Sequence, residues 1–248
     1  MRSRFFYPAP WPNTPQLTLS EEIFHHAITV LRMRVGDVCE LFDGQGHCAS
    51  VELIQIEKKS AQARWLSAPA LHTTNESPLH ITLAQCLSSA EKMDWTIEKA
   101  VELGVNRIVP IFSARSQIKL SSERSDKKLG HWQRIILSAC AQSGRNVCPE
   151  LLAPMSLSSW LGQTHDVDTC QLILQPDPQL PRTLSQLPQP TTRNIHLLIG
   201  PESGFDDKEL SLAQQAGYQA TLLGTRVLRT ETAGLATIAA IQALWGDF

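Results

Sequence analysis

No stretch of this 248-residue chain approaches the ~20 consecutive apolar residues that a helix needs to cross a bilayer. Its opening residues, MRSRFFYPAPWP, lack the apolar core of a secretory signal. Neither a membrane span nor secretion is therefore expected, and the chain reads as soluble and cytoplasmic. Aromatic residues are scarce at 6%, and neither sign of charge dominates, with 22 Lys and Arg against 24 Asp and Glu. That balance excludes a uniformly basic nucleic-acid coat and leaves room only for a local cationic patch. The six cysteines, Cys39, Cys48, Cys86, Cys140, Cys148 and Cys170, include no C-x-x-C pair. Neither a zinc ribbon nor a disulfide framework is indicated, and reduced, mostly buried thiols are expected. The eight histidines show no H-x-x-x-H spacing, so no metal is expected. Missing too are the G-x-G-x-x-G turn of dinucleotide enzymes and the G-x-x-x-x-G-K-[ST] phosphate loop, which lowers the case for a nicotinamide enzyme or an NTPase.

What is present is 42% hydrophobic, enough for one or two packed domains. The cations concentrate early: residues 1–70 hold 7 basic and 7 acidic side chains, 71–150 hold 10 and 8, and 151–248 hold 5 and 9. The Ser-, Thr- and Pro-rich text SAPALHTTNESP at 67–78 reads as a connector. It divides the chain into a domain over 1–70, a linker over 71–78 and a domain over 79–248. Before the linker, residues 37–42, 48–56 and 61–66 alternate apolar and polar around the turn Asp43-Gly44-Gln45-Gly46. The pattern predicts a small antiparallel sheet or barrel, with one helix over 20–33, capped by Ser20, that carries Ile23, Ala27, Val30 and Leu31 on its apolar face.

After the linker the rhythm becomes strand then helix. Strands are predicted over 79–87, 107–112, 171–175, 195–199 and 220–223, and helices over residues that come after Ser88, over 126–143, over 206–216 and over 231–245. Ser88-Ser89-Ala90-Glu91 fits a capping box, and Gly104 and Gly144 mark helix ends. Met93, Ile97, Ala100 and Val101 share one helical face, as do Leu129, Trp132, Ile136, Ala139 and Cys140. The last helix is apolar almost all round, as a packed or subunit-buried helix is. Alternation of this kind implies an α/β domain with a mostly parallel sheet covered on both faces.

Ligands of open α/β sheets bind beyond the carboxyl ends of the strands, which directs attention to two loops. Gly200-Pro201-Glu202-Ser203-Gly204-Phe205 makes a tight exit from a strand and exposes backbone amides ahead of a helix. The segment 223–233 crowds Arg226, Arg229 and Glu231 before the apolar helix. On composition alone it reads either as a ligand site or as a helix start capped by Thr230, with Glu231 favouring the positive helix end.

The texts LLIGPESGFDDKEL at 197–210 and LLGTRVLRTETAGLATIAAIQ at 222–242 closely resemble the RsmE family, bacterial 16S ribosomal RNA uridine N3-methyltransferases of the SPOUT superfamily. The resemblance runs through VLRMR at 30–34, LFDGQG at 41–46, EKMDWTIEKAVELGV at 91–105, Arg115-Ser116 and AQSGRNVCPEL at 141–151. It implies an N-terminal PUA-like β-barrel followed by a SPOUT α/β domain with a C-terminal trefoil knot, in a homodimer that binds S-adenosylmethionine in the knot and acts on 16S rRNA of the small ribosomal subunit. Two positions depart from the pattern: Ser203 stands where the family usually has Gly, and Thr225 where it often has Pro. If position 203 required a positive φ, serine there would be strained by about 1 kcal/mol or more.

By resemblance the adenosyl group is held by Leu174, Gln175, Ile199, Gly200 and Glu202, and by Leu223, Gly224, Arg226, Val227 and Leu228. Uridine N3 must lose a proton to attack, so a cation beside the imide anion is needed, which points to Arg229 and less to Arg226. Glu202 or Glu231 would accept the proton or simply anchor an arginine. Arg2, Arg4, Arg32 and Arg34, extended by Arg115, Lys119 and Arg145, are the candidate phosphate contacts. Among the interleaved aromatics, Phe5 and Tyr7 are expected to face the core. Two alternatives stay open: a SPOUT enzyme for another rRNA or tRNA position, and a noncatalytic RNA-binding ribosome-assembly protein.

Overall fold

The computed structural model describes residues 3–116, 122–163, 168–175, 177 and 183–248. It divides into two compact units, Met1–Glu76 with Leu137–Cys148, and Ser77–Ile136 with Pro149–Phe248.

In the first unit β1 (Arg4–Phe6), β2 (Gln16–Thr18), β3 (Val38–Phe42), β4 (His47–Ile56), β5 (Ala61–Trp65) and β6 (Ala70–Leu71) form one sheet. Its pairing path runs β1-β3-β4-β5-β2 with β6 beside β4, and the two ends of the path are β1 and β2. All pairs are antiparallel except β1 with β3. The β3–β4 turn is fixed by Asp43, whose Oδ1 accepts from the amides of Gln45 at 2.7 Å and His47 at 3.0 Å. Gly44 and Gly46 supply the positive φ values of 75° and 104° that this tight turn demands. Alternation along the strands sends Leu41, Val51, Leu53 and Ala63 to one face, where they pack with Phe5, Leu17, Ile23 and Ala27, and Tyr7 closes the edge of the cluster.

The helix predicted over 20–33 is shorter and changes its winding. Ser20 caps α1 (Glu21–Phe24), its hydroxyl accepting from the Ile23 amide, and the chain continues as a π-helical segment over His25–Val30. The wider turn, closed by Leu31 N–H donating to His26 O at 2.9 Å, rotates the residues at its end relative to an α-helix. Ile23 and Ala27 stay in the core, but Val30 and Leu31, expected on the same face, are 56% and 46% exposed.

The second unit comprises β7 (His80–Cys86), α2 (Ala90–Glu102), β8 (Arg107–Phe112), α3 (Ser122–Ser143, as far as Ile136), β9 (Glu150–Leu151), β10 (Met155–Ser156), α4 (Leu157–Leu161), β11 (Cys170–Leu174), β12 (Asn194–Ile199), α5 (Asp207–Gln215), β13 (Gln219–Thr221) and α6 (Thr230–Trp245). The sheet order is β10-β8-β7-β12-β11-β13 with β9 beside β8, and every pair is parallel. Central strands β7 and β12 are buried on both faces, which explains why they are mostly apolar, with Thr82, Gln85 and His196 as buried polar exceptions. Met93, Ile97, Ala100 and Val101 of α2 are fully buried, and the helix stops before Gly104, whose φ is 86°.

Two local expectations are corrected. The capping box at Ser88 does not form: α2 begins one residue later, Ser89 is its cap, and no side chain bonds the free amides there. The reciprocal box sits instead on α5, where Asp206 accepts from the Glu209 amide at 2.8 Å and Glu209 accepts from the Asp206 amide at 3.0 Å. Strand β13 ends at Thr221, two residues short of the expected end, and Leu222 pairs instead in an isolated parallel bridge with Thr183, its carbonyl accepting from the Leu184 amide at 2.9 Å. All six cysteines are free thiols, four of them buried, and burial pushes the Cys39 thiol up to about 12.

Candidate functional site

Strands β12, β11 and β13 lie side by side and point the same way, so the three segments that leave their carboxyl ends meet. They enclose a cavity of about 510 Å³, within the range of small-ligand sites. Leu174, Gln175 and Asp177 come from the end of β11 and the segment after it. Ile199, Gly200, Pro201, Glu202, Gly204 and Phe205 come from the end of β12 and the segment after it, and Leu222, Leu223, Gly224, Arg226, Val227, Leu228 and Arg229 from the segment after β13. Thr230 and Ala233 at the start of α6 and Leu210 of α5 complete the wall. All ten residues expected at the cofactor line this cavity, as does Arg229; Glu231 does not. The sequence had not pointed to Asp177, Leu210, Thr221 or Leu222 as wall residues.

The shape of the wall is set by backbone constraints. Gly204 takes φ 68° and closes a turn in which its amide donates to Pro201 O at 2.9 Å. Ser203 does not have a positive φ, so the strain considered for serine at that position does not arise. Its hydroxyl donates to Arg115 O at 3.3 Å, and Arg115 Nη1 donates back to Ser203 O at 3.1 Å. A Cβ on Gly200 would stand 3.1 Å from the Phe205 ring, so glycine is what lets that ring close over the loop. Thr225, the other departure, is exposed.

Thr230 is not the cap of α6. It is the first helical residue, buried, and its hydroxyl donates to Gly200 O at 2.6 Å while accepting from Gln85 Nε2 at 2.9 Å. The threonine thus staples the β12 loop to the helix that succeeds the β13 loop. A threonine before an apolar helix reads as a cap in sequence; only the buried partner from β7 reveals the other role.

The charges divide by partner. Arg226 and Arg229 are exposed, and neither side chain has a hydrogen bond or ion pair among the described residues. The two carboxylates do not anchor these arginines. Both face Lys92 of α2, Glu202 Oε1 at 3.0 Å and Glu231 Oε2 at 3.5 Å from its Nζ. Burial raises the Glu202 carboxyl, but the hydrogen bond and charge of Lys92 outweigh it and hold the group below the ordinary carboxylate range. Among the described residues no cluster of His, Cys, Asp and Glu has the makings of a metal site.

The expected RNA contacts fare unevenly. Arg32 and Arg34 are exposed beside the end of the π-helical segment, and Arg115 is exposed while holding Ser203 O. Arg4 and Arg145 are corrected, because their guanidinium groups are consumed inside the first unit. Arg4, 6% exposed, donates to Glu40 at 2.7 Å and to Asn146, and lies over the Phe42 ring. Arg145, 4% exposed, places Nε and Nη2 on Glu76 Oε2 at 3.0 and 2.7 Å. Groups so enclosed present almost no surface to a phosphate. Arg2 and Lys119 lie outside the described residues.

Comparison with known proteins adds independent findings. The family model of the RNA methyltransferase domain matches residues 75–242, and that of the RNA methyltransferase PUA domain matches 19–65. The chain is 35% identical over 230 residues to the ribosomal RNA small subunit methyltransferase E of Buchnera aphidicola subsp. Acyrthosiphon pisum, covering 93% of this chain and 88% of the relative. It is 30% identical to the protein of the same name from Bacillus subtilis, covering 92% and 90%. Among solved structures it is similar to a ribosomal RNA small subunit methyltransferase E from Neisseria gonorrhoeae bound to S-adenosyl methionine, with 40% identity, a TM-score of 0.90 and full coverage of both chains.

Proposed function

The chain belongs to the ribosomal RNA small subunit methyltransferase E family, and from that membership and the geometry of the cavity we propose how it works. It is an S-adenosylmethionine-dependent rRNA methyltransferase. The reaction is methyl transfer to N3 of one uridine of 16S rRNA, presented on the assembled small ribosomal subunit or a late precursor. The cavity at the carboxyl ends of β12, β11 and β13 is the observation that carries this reading, since it joins apolar walls for an adenosyl group to two arginines that no protein carboxylate engages among the described residues.

S-adenosylmethionine supplies an activated methyl group, so neither a metal nor a covalent enzyme intermediate is needed. What the protein must supply is alignment of the nucleophile with that carbon. Ile199, Gly200 and residues 222–228 hold the adenosyl part largely through backbone groups, and Leu174 and Gln175 close the third side. Arg229 stands at the rim, where its charge lowers the cost of removing the imide proton and stabilises the anion as it forms. Arg226 supports it. Both carboxylates face Lys92, but Glu202 is about half exposed and lines the cavity, so it is the one placed to pass the proton to water, whereas Glu231 is largely enclosed and lies off the cavity wall.

RNA capture falls to a PUA-like barrel over residues 1–70, which makes up most of the first unit, joined by the 71–78 segment to a SPOUT domain over 79–248 that carries the trefoil knot and forms the homodimer, with residues 137–148 of that span grouping with the first unit. The enzyme works in the cytoplasm, where its substrate is assembled; no described helix is long and apolar enough to cross a membrane. Reversing Arg32 and Arg34 to Glu is expected to weaken RNA binding and flatten its dependence on salt, with cofactor affinity unchanged. Filter binding across a salt series beside a cofactor titration checks this, and a parallel loss of cofactor binding contradicts the division of labour.

The reading as a whole is tested by incubating the protein with labelled S-adenosylmethionine and 30S particles from a strain lacking the modification, then mapping the label to a nucleotide. Label on N3 of a single 16S uridine is expected. Label on another base would favour a SPOUT enzyme of different specificity, and no transfer by a folded protein would favour the noncatalytic alternative.

A further inference from the structure

We propose that Lys92 is a positioning residue for the cofactor: it clamps the tip of the β12 loop to the start of α6 and so sets the width of the cavity mouth. The proposal rests on the functional reading above in taking S-adenosylmethionine as the ligand.

Two ties join the same two segments at successive residues. The inner one is neutral and buried: Gln85 holds Thr230, and Thr230 holds Gly200 O. It fixes the base of the β12 loop. The outer one is ionic: Lys92, in the first turn of α2, reaches Glu202 of the loop at 3.0 Å and Glu231 in the first turn of α6 at 3.5 Å. It fixes the loop two residues further on, where Glu202 lines the open side of the cavity. Without the ammonium the two carboxylates would repel each other across the mouth.

The Glu231 carboxylate makes the tie strong. Its side chain is 13% exposed, and Oε2 is fully enclosed with no hydrogen-bond donor among the described residues. The helix start of α6 favours an anion there, but the compact countercharge beside it is Lys92. Removing that charge leaves a largely enclosed carboxylate without its cation, which favours local rearrangement more than loss of a fully exposed ion pair does. The segment that would yield is the start of α6, which contributes Thr230 and Ala233 to the cavity wall.

Charge balance at the mouth leaves a signature that mere space-filling does not. In the full-length protein, Lys92→Met is expected to weaken S-adenosylmethionine binding about tenfold or more by calorimetry, whereas Lys92→Arg stays within about threefold of wild type. In steady-state methyl transfer the loss appears mainly in KM for the cofactor, with a smaller change in kcat. The double variant Lys92→Met with Glu231→Gln removes the stranded charge as well, so it binds more tightly than Lys92→Met alone; it also serves if the single variant folds poorly. Equal losses in the Met and Arg variants, or a double variant no better than the single one, would overturn the clamp. Wild-type binding with an unaffected Lys92→Met also overturns the clamp, and leaves the functional reading intact. A wild-type protein that takes up no S-adenosylmethionine would overturn both together.

Discussion

Replacing Arg229 with alanine is expected to lower kcat for methyl transfer roughly 10²- to 10³-fold while changing cofactor affinity by less than about threefold. The asymmetry comes from where the side chain stands. Arg229 is exposed at the rim of the cavity, with no carboxylate on it among the described residues, so its removal strands no buried charge and disturbs no packed neighbour. Its charge matters only once the target imide begins to ionise, which makes the loss one of transition-state stabilisation. Arg229→Lys keeps the charge but not the planar fork and is expected to recover part of the rate. Arg226→Ala should cost less. Single-turnover kinetics with saturating cofactor, beside calorimetry, reads both quantities. A matching fall in affinity and rate would show that Arg229 holds the cofactor instead.

Arg145 gives the opposite outcome: its alanine variant should lose stability, not merely RNA affinity. The guanidinium and Glu76 are both largely enclosed, Glu76 Oε2 receives two donors from it, and Glu76 Oε1 accepts from the Val147 amide at 3.2 Å. Truncation leaves that carboxylate buried without its cation, a change that typically costs about 3–5 kcal/mol. Urea unfolding followed by a probe in the first unit measures it. Replacing Arg145 and Glu76 together by Met and Leu should restore most of the loss, because the penalty lies in the stranded charge. An alanine variant of unchanged stability that binds RNA weakly would return Arg145 to the phosphate-binding track.

The contrast between these two arginines shows where the sequence stops being informative. Arg229 and Arg145 are the same residue type in similarly polar text, and nothing local distinguishes a rim cation from an enclosed one. Burial of Arg145 depends on Glu76, and burial of Arg4 on Glu40 and Asn146, partners distant in the chain. The strands were legible because period and composition are local: 107–112 reads as a strand and is one, and the apolar runs of β7 and β12 announce burial on both faces. The cavity was legible in outline because parallel strands gather their carboxyl ends, and the Gly-bearing loops after them mark the spot.

Details that hinge on one backbone torsion or one distant contact were not. The π-helical turn over His25–Val30 adds a residue to a spacing that otherwise reads as α-helical, and so turns Val30 and Leu31 outward. Thr230 has the chemistry of a cap, but the carbonyl of Gly200 and the amide of Gln85 recruit its hydroxyl. The positive φ of the β12 loop falls on Gly204, one residue beyond the serine that drew attention. Lys92 lies more than a hundred residues from both of its carboxylate partners, and no motif in its own helix announces them.

The central claim is that the cavity beyond β12, β11 and β13 holds the methyl donor. A crystal structure of the chain soaked with S-adenosylmethionine tests it most directly. The adenosyl group is expected between residues 199–202 and 222–228, with the methyl carbon facing the side of the rim that carries Arg229. Ordered cofactor elsewhere on the protein, with this cavity empty, would contradict the account.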